Sequence, residues 1–167
     1  LNKLSLTLGT ELFKNLDLVV SDGDRVGLVG ANGAGKSSLL RIIAGELEPS
    51  AGDITRSRGL TIGHVEQEVP AELLGLSLRD AVAAALPAEQ RETDGWRGDV
   101  ALDGFEAPWD MRDRPVGALS GGWQRLMLIA RMWVAEPDAL LMDEPTNHLD
   151  IDKIMVLEDW LNRVARG

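Results

Sequence analysis

Three short runs in this 167-residue chain have the residue types and spacing for phosphate chemistry. The first is GANGAGKS, Gly30 to Ser37, in which a glycine-rich stretch leads into a lysine and a serine. Glycines let the backbone wrap closely around an anion, and successive N–H groups then point inward. The lysine can neutralise phosphate charge, and the serine hydroxyl can ligate Mg²⁺. The run therefore predicts a loop that binds the phosphates of a nucleotide.

The residues on either side of this loop favour that interpretation over a glycine-rich turn that binds nothing. The apolar run from Val26 to Val29 predicts a short buried strand before it. Ser38 to Ala44 predict a helix that ends at Gly45. A helix that starts at the loop also directs the positive end of its dipole at the bound anion.

The second run is LLMDEP, in which two acids follow an apolar stretch of strand length, Ala139 to Met142. Open α/β sheets bind their ligands at the carboxyl ends of the strands, where Asp143 and Glu144 are expected. The first carboxylate can hold Mg²⁺ through water, and the second can orient or deprotonate an attacking water. The alternative is an acidic strand end that only caps the next turn.

The third run is LSGGWQ, in which Ser120 is a good N-cap for an apolar helix from Trp123 to Ala135. Gly121 and Gly122 leave the N–H groups of that helix start open, which predicts a second anion site. The alternative is an ordinary helix cap with a flexible approach.

Composition narrows the class of protein that carries these runs. The chain is long enough for one domain with a substantial core. It has no apolar stretch near the roughly 20 residues that span a bilayer, and it has no cysteine for disulfide or thiolate chemistry. A formal net charge of −10 argues against a broad nucleic-acid-binding surface on this segment.

The rest of the pattern predicts a mixed β region followed by helices. Leucines alternate from Leu4 to Leu8, which is typical of a strand with one buried face. Gly9 to Glu11 predict a turn, and Leu16 to Val20 predict a second strand. Two further short strands are expected around Ile54 to Thr55 and from Leu60 to Val65.

Helical patterns dominate the second half of the chain. Ala81 to Leu86 is alanine-rich, and weak periodicity continues from there through Pro115. Apolar residues at helical spacing mark one face of a last helix. They are Ile154, Leu157, Leu161 and Val164.

Taken in order, GANGAGKS, Gln67, LSGGWQ, LLMDEP and TNHLD resemble the nucleotide-binding domain of an ABC ATPase over nearly the whole chain. The runs GDRVGLVGANGAGKSSLLRIIAGELEP and DEPTNHLD resemble the ABC-F subfamily in particular, whose members are soluble and carry two ATPase domains. The resemblance implies an α/β P-loop NTPase fold of the ABC type, with a mixed sheet and an antiparallel β edge. It places the ATPase core at 1–70 and 119–167, and a small helical subdomain at 71–118.

The same resemblance assigns roles to residues of this chain, with ATP and Mg²⁺ as cofactors. Glu144 and Gln67 would be catalytic, and Mg²⁺ would be held by Ser37, Gln67 and Asp143. The nucleotide would be bound by Gly30, Asn32, Gly33, Ala34, Gly35, Lys36, Ser37 and Ser38, and by Ser120, Gly121, Gly122 and Asp150 of a facing domain. Two alternatives stay open from the residues themselves: Gln67 as part of the solvated run Glu66 to Glu68, and Asp150 as a helix N-cap.

Three positions depart from the family pattern. The switch histidine of the family lies on a strand beyond residue 167, and His148 is too near Glu144 to replace it, so a structural role is expected there. The adenine-stacking aromatic aligns with Leu8, while the nearby Phe13 is expected in the core. The segment between Gln67 and Ser120 is short for the helical arm that many ABC-F proteins insert.

The predicted activity is hydrolysis of ATP to ADP and phosphate, weak in this isolated segment because each site needs a second ABC domain. That partner would come from the same chain or from a homodimer. The family resemblance also implies a cytoplasmic location and, for many members, the ribosome as a partner. Two other functions stay open: the ATP-binding subunit of an ABC membrane transporter, and an ATP-gated clamp in which hydrolysis only resets binding. His64 and four tryptophans are expected to pack structurally: Trp96, Trp109, Trp133 and Trp160.

Overall fold

The structure is a computed structural model that describes residues 1–65 and 67–164. Its strands are β1 (Asn2–Leu8), β2 (Thr10–Leu16), β3 (Ala51–Asp53), β4 (Ile62–Val65) and β5 (Ala139–Met142). Its α-helices are α1 (Lys36–Ala44), α2 (Leu78–Ala83), α3 (Arg91–Asp94), α4 (Trp96–Gly104), α5 (Trp109–Arg112), α6 (Gly121–Ala135) and α7 (Ile151–Val164). Glu66 of the predicted polar run and the last residues of the predicted core, 165–167, lie outside the described residues.

The first sheet is antiparallel, with β1 between β2 and β3. Alternate residues Leu4 and Leu6 of β1 are fully buried, and they form a small core with Leu39 and Ile42 of α1. The predicted alternation is therefore confirmed at Leu4 and Leu6, whereas Leu8, at the end of β1, is 55% exposed. The small core supports the helix that follows the phosphate loop.

Two predictions about this sheet are wrong in position. The chain reverses at Gly9 alone, so β2 begins at Thr10 and ends at Leu16, where the second strand was expected to start. The turn is so tight that Thr10 pairs directly with Leu8, and antiparallel pairing continues from there along β2. The third strand likewise comes earlier than the predicted Ile54 to Thr55, at β3.

The second sheet is the parallel pair β4 and β5, with Val65 opposite Met142 at its carboxyl end. Both strands were predicted close to these bounds. Side-chain bonds pin the start of the pair: Thr61 donates to the Asp138 carboxylate from its N–H and from its hydroxyl, each over 2.7 Å. The sheet therefore brings the residues after β4 and after β5 to one edge.

The predicted strand from Val26 to Val29 does not form. No described residue pairs with this segment, and Val29 is 99% exposed while Val26 is 51% exposed. An apolar run favours burial, but a β-strand also needs a neighbouring strand that supplies main-chain hydrogen bonds. The described residues provide none, so the segment runs as irregular backbone into the phosphate loop.

The larger core joins the helical segment to the end of the chain. It contains side chains of α2, α4, α6 and α7 together with Val65 of β4. Leu78, Ile129 and Leu157 are essentially inaccessible, and Phe105 packs on Trp160 with ring centroids 5.0 Å apart. Because the helices from 71 to 118 share this core with α6 and α7, the predicted domain boundaries stay a prediction.

Two of the tryptophans do not pack as expected. Trp160 is buried and Trp133 lies against the larger core, but Trp96 and Trp109 are 62% and 64% exposed. Trp109 instead covers the Arg112 guanidinium, which lies 3.9 Å from its ring centroid. No helix in the part of the chain that the structure describes is both long and apolar enough to cross a membrane.

Candidate nucleotide site

The phosphate loop closes at the start of α1, in a conformation that its glycines permit. Gly33 and Gly35 have φ of 79° and 88°, in the left-handed region that L side chains rarely adopt. Gly35 is the N-cap of α1, and no described side chain caps this helix or places an acid in its first turn. The N–H groups at the start of α1 are therefore available to an anion.

Gly35 is also required by packing. A Cβ at this position would lie 3.1 Å from the Cβ of Leu12 and 3.2 Å from a ring carbon of Phe13. The loop thus rests directly on β2, and the missing side chain allows that close approach.

Lys36 bends back over the loop. Its ammonium donates to the carbonyl oxygen of Gly30 over 2.9 Å and to that of Ala31 over 3.0 Å. Ala34 closes the turn from inside by donating its N–H to Ala31 over 3.2 Å. These bonds hold a positive charge against the loop, where phosphate oxygens would be bound.

A cavity of about 190 Å³ opens at this loop. It is lined by Leu12, Asn32, Gly33, Gly35, Lys36, Ser37, Ser38 and Glu144. Six of the predicted nucleotide-binding residues therefore line one cavity with the predicted catalytic base, although Glu144 lies more than 100 positions further along the chain. Gly30 and Ala34 do not line the cavity and take part in the loop through the bonds described above.

The side chains of Asp143 and Glu144, which follow β5, lie in different surroundings. Asp143 is 5% exposed, and one of its carboxylate oxygens accepts a hydrogen bond of 2.6 Å from the Gln67 amide. Glu144 has φ of 46°, a left-handed conformation that is uncommon for a residue with a Cβ. This sharp turn separates the two neighbouring side chains, so that Glu144 reaches the phosphate-loop cavity.

The acids and hydroxyl present fit Mg²⁺ better than a transition metal. Ser37, which lines the phosphate-loop cavity, and Asp143, which does not, offer hard oxygen ligands, which suit a cation that also takes phosphate oxygens. Among the described residues no three or more His, Cys, Asp or Glu side chains form a metal-binding group. A cation here would therefore depend on the nucleotide for its other ligands.

Two polar residues at this site were missed by the sequence analysis. Asn147 donates its amide to a carboxylate oxygen of Glu144 over 3.0 Å. Arg125 of α6 is 5% exposed and donates to the main-chain oxygen of Asp143. Burial lowers the pKa of Arg125, and the negative charges of Asp143 and Glu144 oppose that change. Arg125 and Arg131 are the two charged residues of an otherwise apolar helix, and a charge in such a helix was the signal that could have identified Arg125.

The glycines of LSGGWQ lie away from the phosphate-loop cavity. Gly121 lines a separate cavity of about 360 Å³, together with Gln67, Arg125 and His148. Ser120 occupies the N-cap position of α6 but makes no side-chain capping bond; its carbonyl accepts from the N–H of Gln124 over 3.0 Å. The structure therefore keeps the two predicted anion-binding helix starts apart.

The turn before α7 carries the remaining predicted residues. Asp150 accepts the N–H of Lys153 over 2.9 Å and pairs with its ammonium, and these bonds lower the pKa of its carboxyl group. Asp150 thus serves as the helix cap that the sequence allowed. His148 is exposed with φ of 64°, and His64 contacts Glu46 over 2.7 Å, joining β4 to the end of α1.

The fold and this cavity define a P-loop nucleotide-binding α/β domain, and comparisons with known proteins give its family. The chain matches the family model described as ABC transporter over residues 13–147. It belongs to the ABC transporter family, as the order of its motifs predicted.

The curated relatives place the chain near one group within that family. It is 34% identical to the energy-dependent translational throttle protein EttA of Mycobacterium tuberculosis over 83% of this chain and 31% of that protein. It is 41% identical to the ATP-binding protein Uup of Caulobacter vibrioides over 90% of this chain and 23% of that protein. The chain therefore spans a third or less of the length of these relatives. They are ABC-F-type proteins, which confirms the predicted resemblance.

A solved structure confirms the fold class. The dimeric structure of MJ0796, a bacterial ABC transporter cassette, superposes with a TM-score of 0.80. The match covers 98% of this chain and 82% of the cassette at 24% identity, so it supports the fold alone.

Proposed function

We propose that this chain is an ATPase domain of an ABC-F-like protein, which binds ATP with Mg²⁺ and hydrolyses it. The observation that carries the proposal is the shared cavity: Glu144 from the end of β5 faces the same space as Lys36 and Ser37 of the phosphate loop. A base and a phosphate cradle in one cavity are the minimum that nucleotide hydrolysis requires.

Each group has a defined task in this proposal. The amides at the start of α1 and the Lys36 ammonium bind the phosphates and neutralise their charge. Glu144 accepts a proton from the water that attacks the terminal phosphorus, while Gln67 holds the Asp143 carboxylate in one orientation. Ser37 and Asp143 would hold Mg²⁺, which would supply further charge neutralisation.

The base assignment is tested with Glu144→Gln. Glutamine keeps the shape and the Asn147 contact but cannot take a proton, so nucleotide binding is expected to persist while turnover falls about 100-fold or more. Glu158→Gln, an exposed change on α7, is the matched control and is expected to turn over normally. Normal turnover by the Glu144 variant would remove the assignment.

We further propose that two domains sandwich each nucleotide head to tail, the Ser120 helix start of one closing on the phosphates bound by the other. Support comes from the separation of Gly121 from the phosphate-loop cavity within one domain. A single copy should therefore show weak activity that falls further on dilution.

A complementation experiment tests this arrangement. Lys36→Ala and Ser120→Arg chains should each be inactive, but their mixture should regain up to about a quarter of wild-type activity. Half of the random pairs are mixed, and each mixed pair has one intact site. A mixture as inactive as its components would contradict the head-to-tail pair.

The process served is proposed from the relatives. The translational throttle protein EttA is by its name a protein of translation, and we propose the ribosome as a partner of the protein that contains this domain. Cosedimentation of the Glu144→Gln protein with ribosomes in ATP is the test. Absence from the ribosomal pellet, together with copurification with a membrane permease, would favour a transporter subunit instead.

A further inference from the structure

The phosphate-loop cavity has one apolar side chain in its wall. Among residues 1–65 and 67–164, that side chain is Leu12 of β2, and the rest of the lining comes from the loop, Lys36, two serines and Glu144. A nucleobase is recognised by stacking on a ring or by hydrogen bonds to its edges. The cavity wall therefore has groups that can bind phosphates, but among the described residues it has no aromatic ring on which a base could stack.

The aromatic residues of the chain lie elsewhere. There is no tyrosine, and the five tryptophans all occur in the helical second half, between Trp96 and Trp160. Of the two phenylalanines, Phe105 is buried against Trp160. Within residues 1–65 and 67–164 no aromatic side chain lines the phosphate-loop cavity, and Phe13 is an aromatic residue that approaches the loop itself, at Gly35.

The Phe13 side chain packs against the phosphate loop and the small core. Its ring edge would lie 3.2 Å from a Cβ at Gly35, and its side chain joins the small core formed by Leu4, Leu6, Leu39 and Ile42. Leu8, at the tip of the hairpin, is 55% exposed and aliphatic. Leu8 therefore has no ring to stack on a base, and the Phe13 ring is partly buried against the small core and the loop.

We infer that this site binds nucleoside triphosphates with little discrimination between bases, and that Leu12 is the residue that sets this tolerance. The inference rests on the proposed function, because it concerns the same cavity. The phosphates supply most of the affinity, through charge and main-chain N–H groups that are identical for every nucleotide. Leu12 offers only apolar contact, which a purine and a pyrimidine satisfy almost equally.

Competition binding tests the inference without hydrolysis. The fluorescent probe is N-methylanthraniloyl-ATP with Mg²⁺, displaced from the chain by ATP, GTP, CTP, UTP or inorganic tripolyphosphate. We expect the four nucleotides to have dissociation constants within about three-fold of one another, and tripolyphosphate to displace the probe as well. ATP binding more than about ten-fold tighter than UTP would overturn the inference while leaving the proposed function intact.

The opposite failure is distinguishable. If Lys36→Ala binds the probe as well as the wild-type chain, the probe is not held at the phosphate loop, and the proposed function fails together with the inference.

Two variants test the residues named. Leu12→Trp supplies a ring at the cavity wall and should raise the preference for ATP over UTP about five-fold or more, because purines stack more strongly. Phe13→Leu should leave the order and spread of the four affinities unchanged. A folded Leu12→Trp chain with the wild-type base profile, or a selective loss of ATP binding in Phe13→Leu, would overturn the assignment of Leu12.

Discussion

The side-chain amide of Gln67 donates a 2.6 Å hydrogen bond to a carboxylate oxygen of Asp143. Gln67 follows β4 closely and Asp143 follows β5 directly, so the bond joins the ends of two adjacent parallel strands. It fixes the orientation of a carboxylate that is otherwise enclosed. A shift of the segment after β4 would therefore change the orientation of the Asp143 carboxylate, the proposed Mg²⁺ ligand.

Gln67→Ala is expected to weaken the effect of Mg²⁺ on nucleotide binding. Hydrogen bonds to charged groups contribute about 1.5–3 kcal/mol, so half-saturation should require roughly ten-fold more Mg²⁺. Binding of nucleotide in the presence of a chelator should not change, because the bond does not involve the phosphate loop. Titration of Mg²⁺ against probe fluorescence gives both quantities. Glu68→Ala, an exposed neighbour, serves as control, and an unaltered Mg²⁺ requirement in Gln67→Ala would contradict the role.

The glycines that begin α6 should differ in their tolerance of alanine. A Cβ at Gly122 would lie 3.0 Å from a Lys153 side-chain carbon and 3.2 Å from the His148 carbonyl oxygen, whereas at Gly121 its nearest neighbour is 3.7 Å away. Alanine is favoured over glycine in helices by about 1 kcal/mol. Gly121→Ala should therefore keep or raise the melting temperature, and Gly122→Ala should be less stable than Gly121→Ala by about 1–2 kcal/mol. Equal stability of the two variants would show that Lys153 moves aside freely.

Arg112 should be among the most sensitive charged residues of the helical segment. It is 1% exposed, pairs with Asp99 over 3.2 Å and with Asp103 over 2.5 Å, and lies beneath the Trp109 ring. Arg112→Ala removes the partner of Asp103, one of the two arginines that pair with Asp99, and the donors to the Ala107 carbonyl oxygen, and it should cost about 3 kcal/mol in urea unfolding followed by circular dichroism.

The matched control is Arg114→Ala. Its guanidinium forms one helical-spacing pair with Asp110, both side chains being more than half exposed. Such pairs contribute at most about 0.5 kcal/mol. A loss of stability as large as that of Arg112→Ala would contradict the argument from burial.

Asp138 should make stability depend on acid pH. The Thr61 N–H, and then the Thr61 hydroxyl, lower the pKa of its carboxyl group below the ordinary value. Because the folded pKa is the lower one, the ionised carboxylate stabilises the fold above the unfolded pKa. That contribution is lost as pH falls through the folded value.

The comparison is between Asp138→Asn and the wild-type chain in urea at several pH values from 7 to 3. Asparagine keeps one acceptor oxygen but no charge, so the variant should be less stable at pH 7 and should lose less stability on acidification. Asp22→Asn, at an exposed turn, should follow the wild-type curve. Parallel curves for Asp138→Asn and wild type would contradict the effect.

The sequence predicted those elements whose signals are local. The helix after the phosphate loop, the helix after LSGGWQ and β5 all begin and end within about two residues of expectation, because caps, glycines and apolar periodicity lie within each element. The strand at Val26 to Val29 was predicted by the same reasoning and does not form, since pairing depends on residues far away in the chain.

The same distinction holds at the site. Motif spacing predicted the loop, both acids and Gln67 as site residues, and the structure brings Gln67 to Asp143 and Glu144 to the loop cavity. Asn147 and Arg125 were missed because their roles come from tertiary contacts with the strand end. Trp96 was expected to pack in the structure, but it is 62% exposed, because its burial also depends on tertiary contacts.

The positions of the tryptophans allow the two cores to be followed separately by spectroscopy. All five lie after β4, so intrinsic emission reports on the larger core and is silent about the hairpin and α1. Far-ultraviolet dichroism sees both regions. Coincident denaturation curves from the two signals would mean that the two cores unfold as one cooperative unit, and displaced curves would give each core its own midpoint.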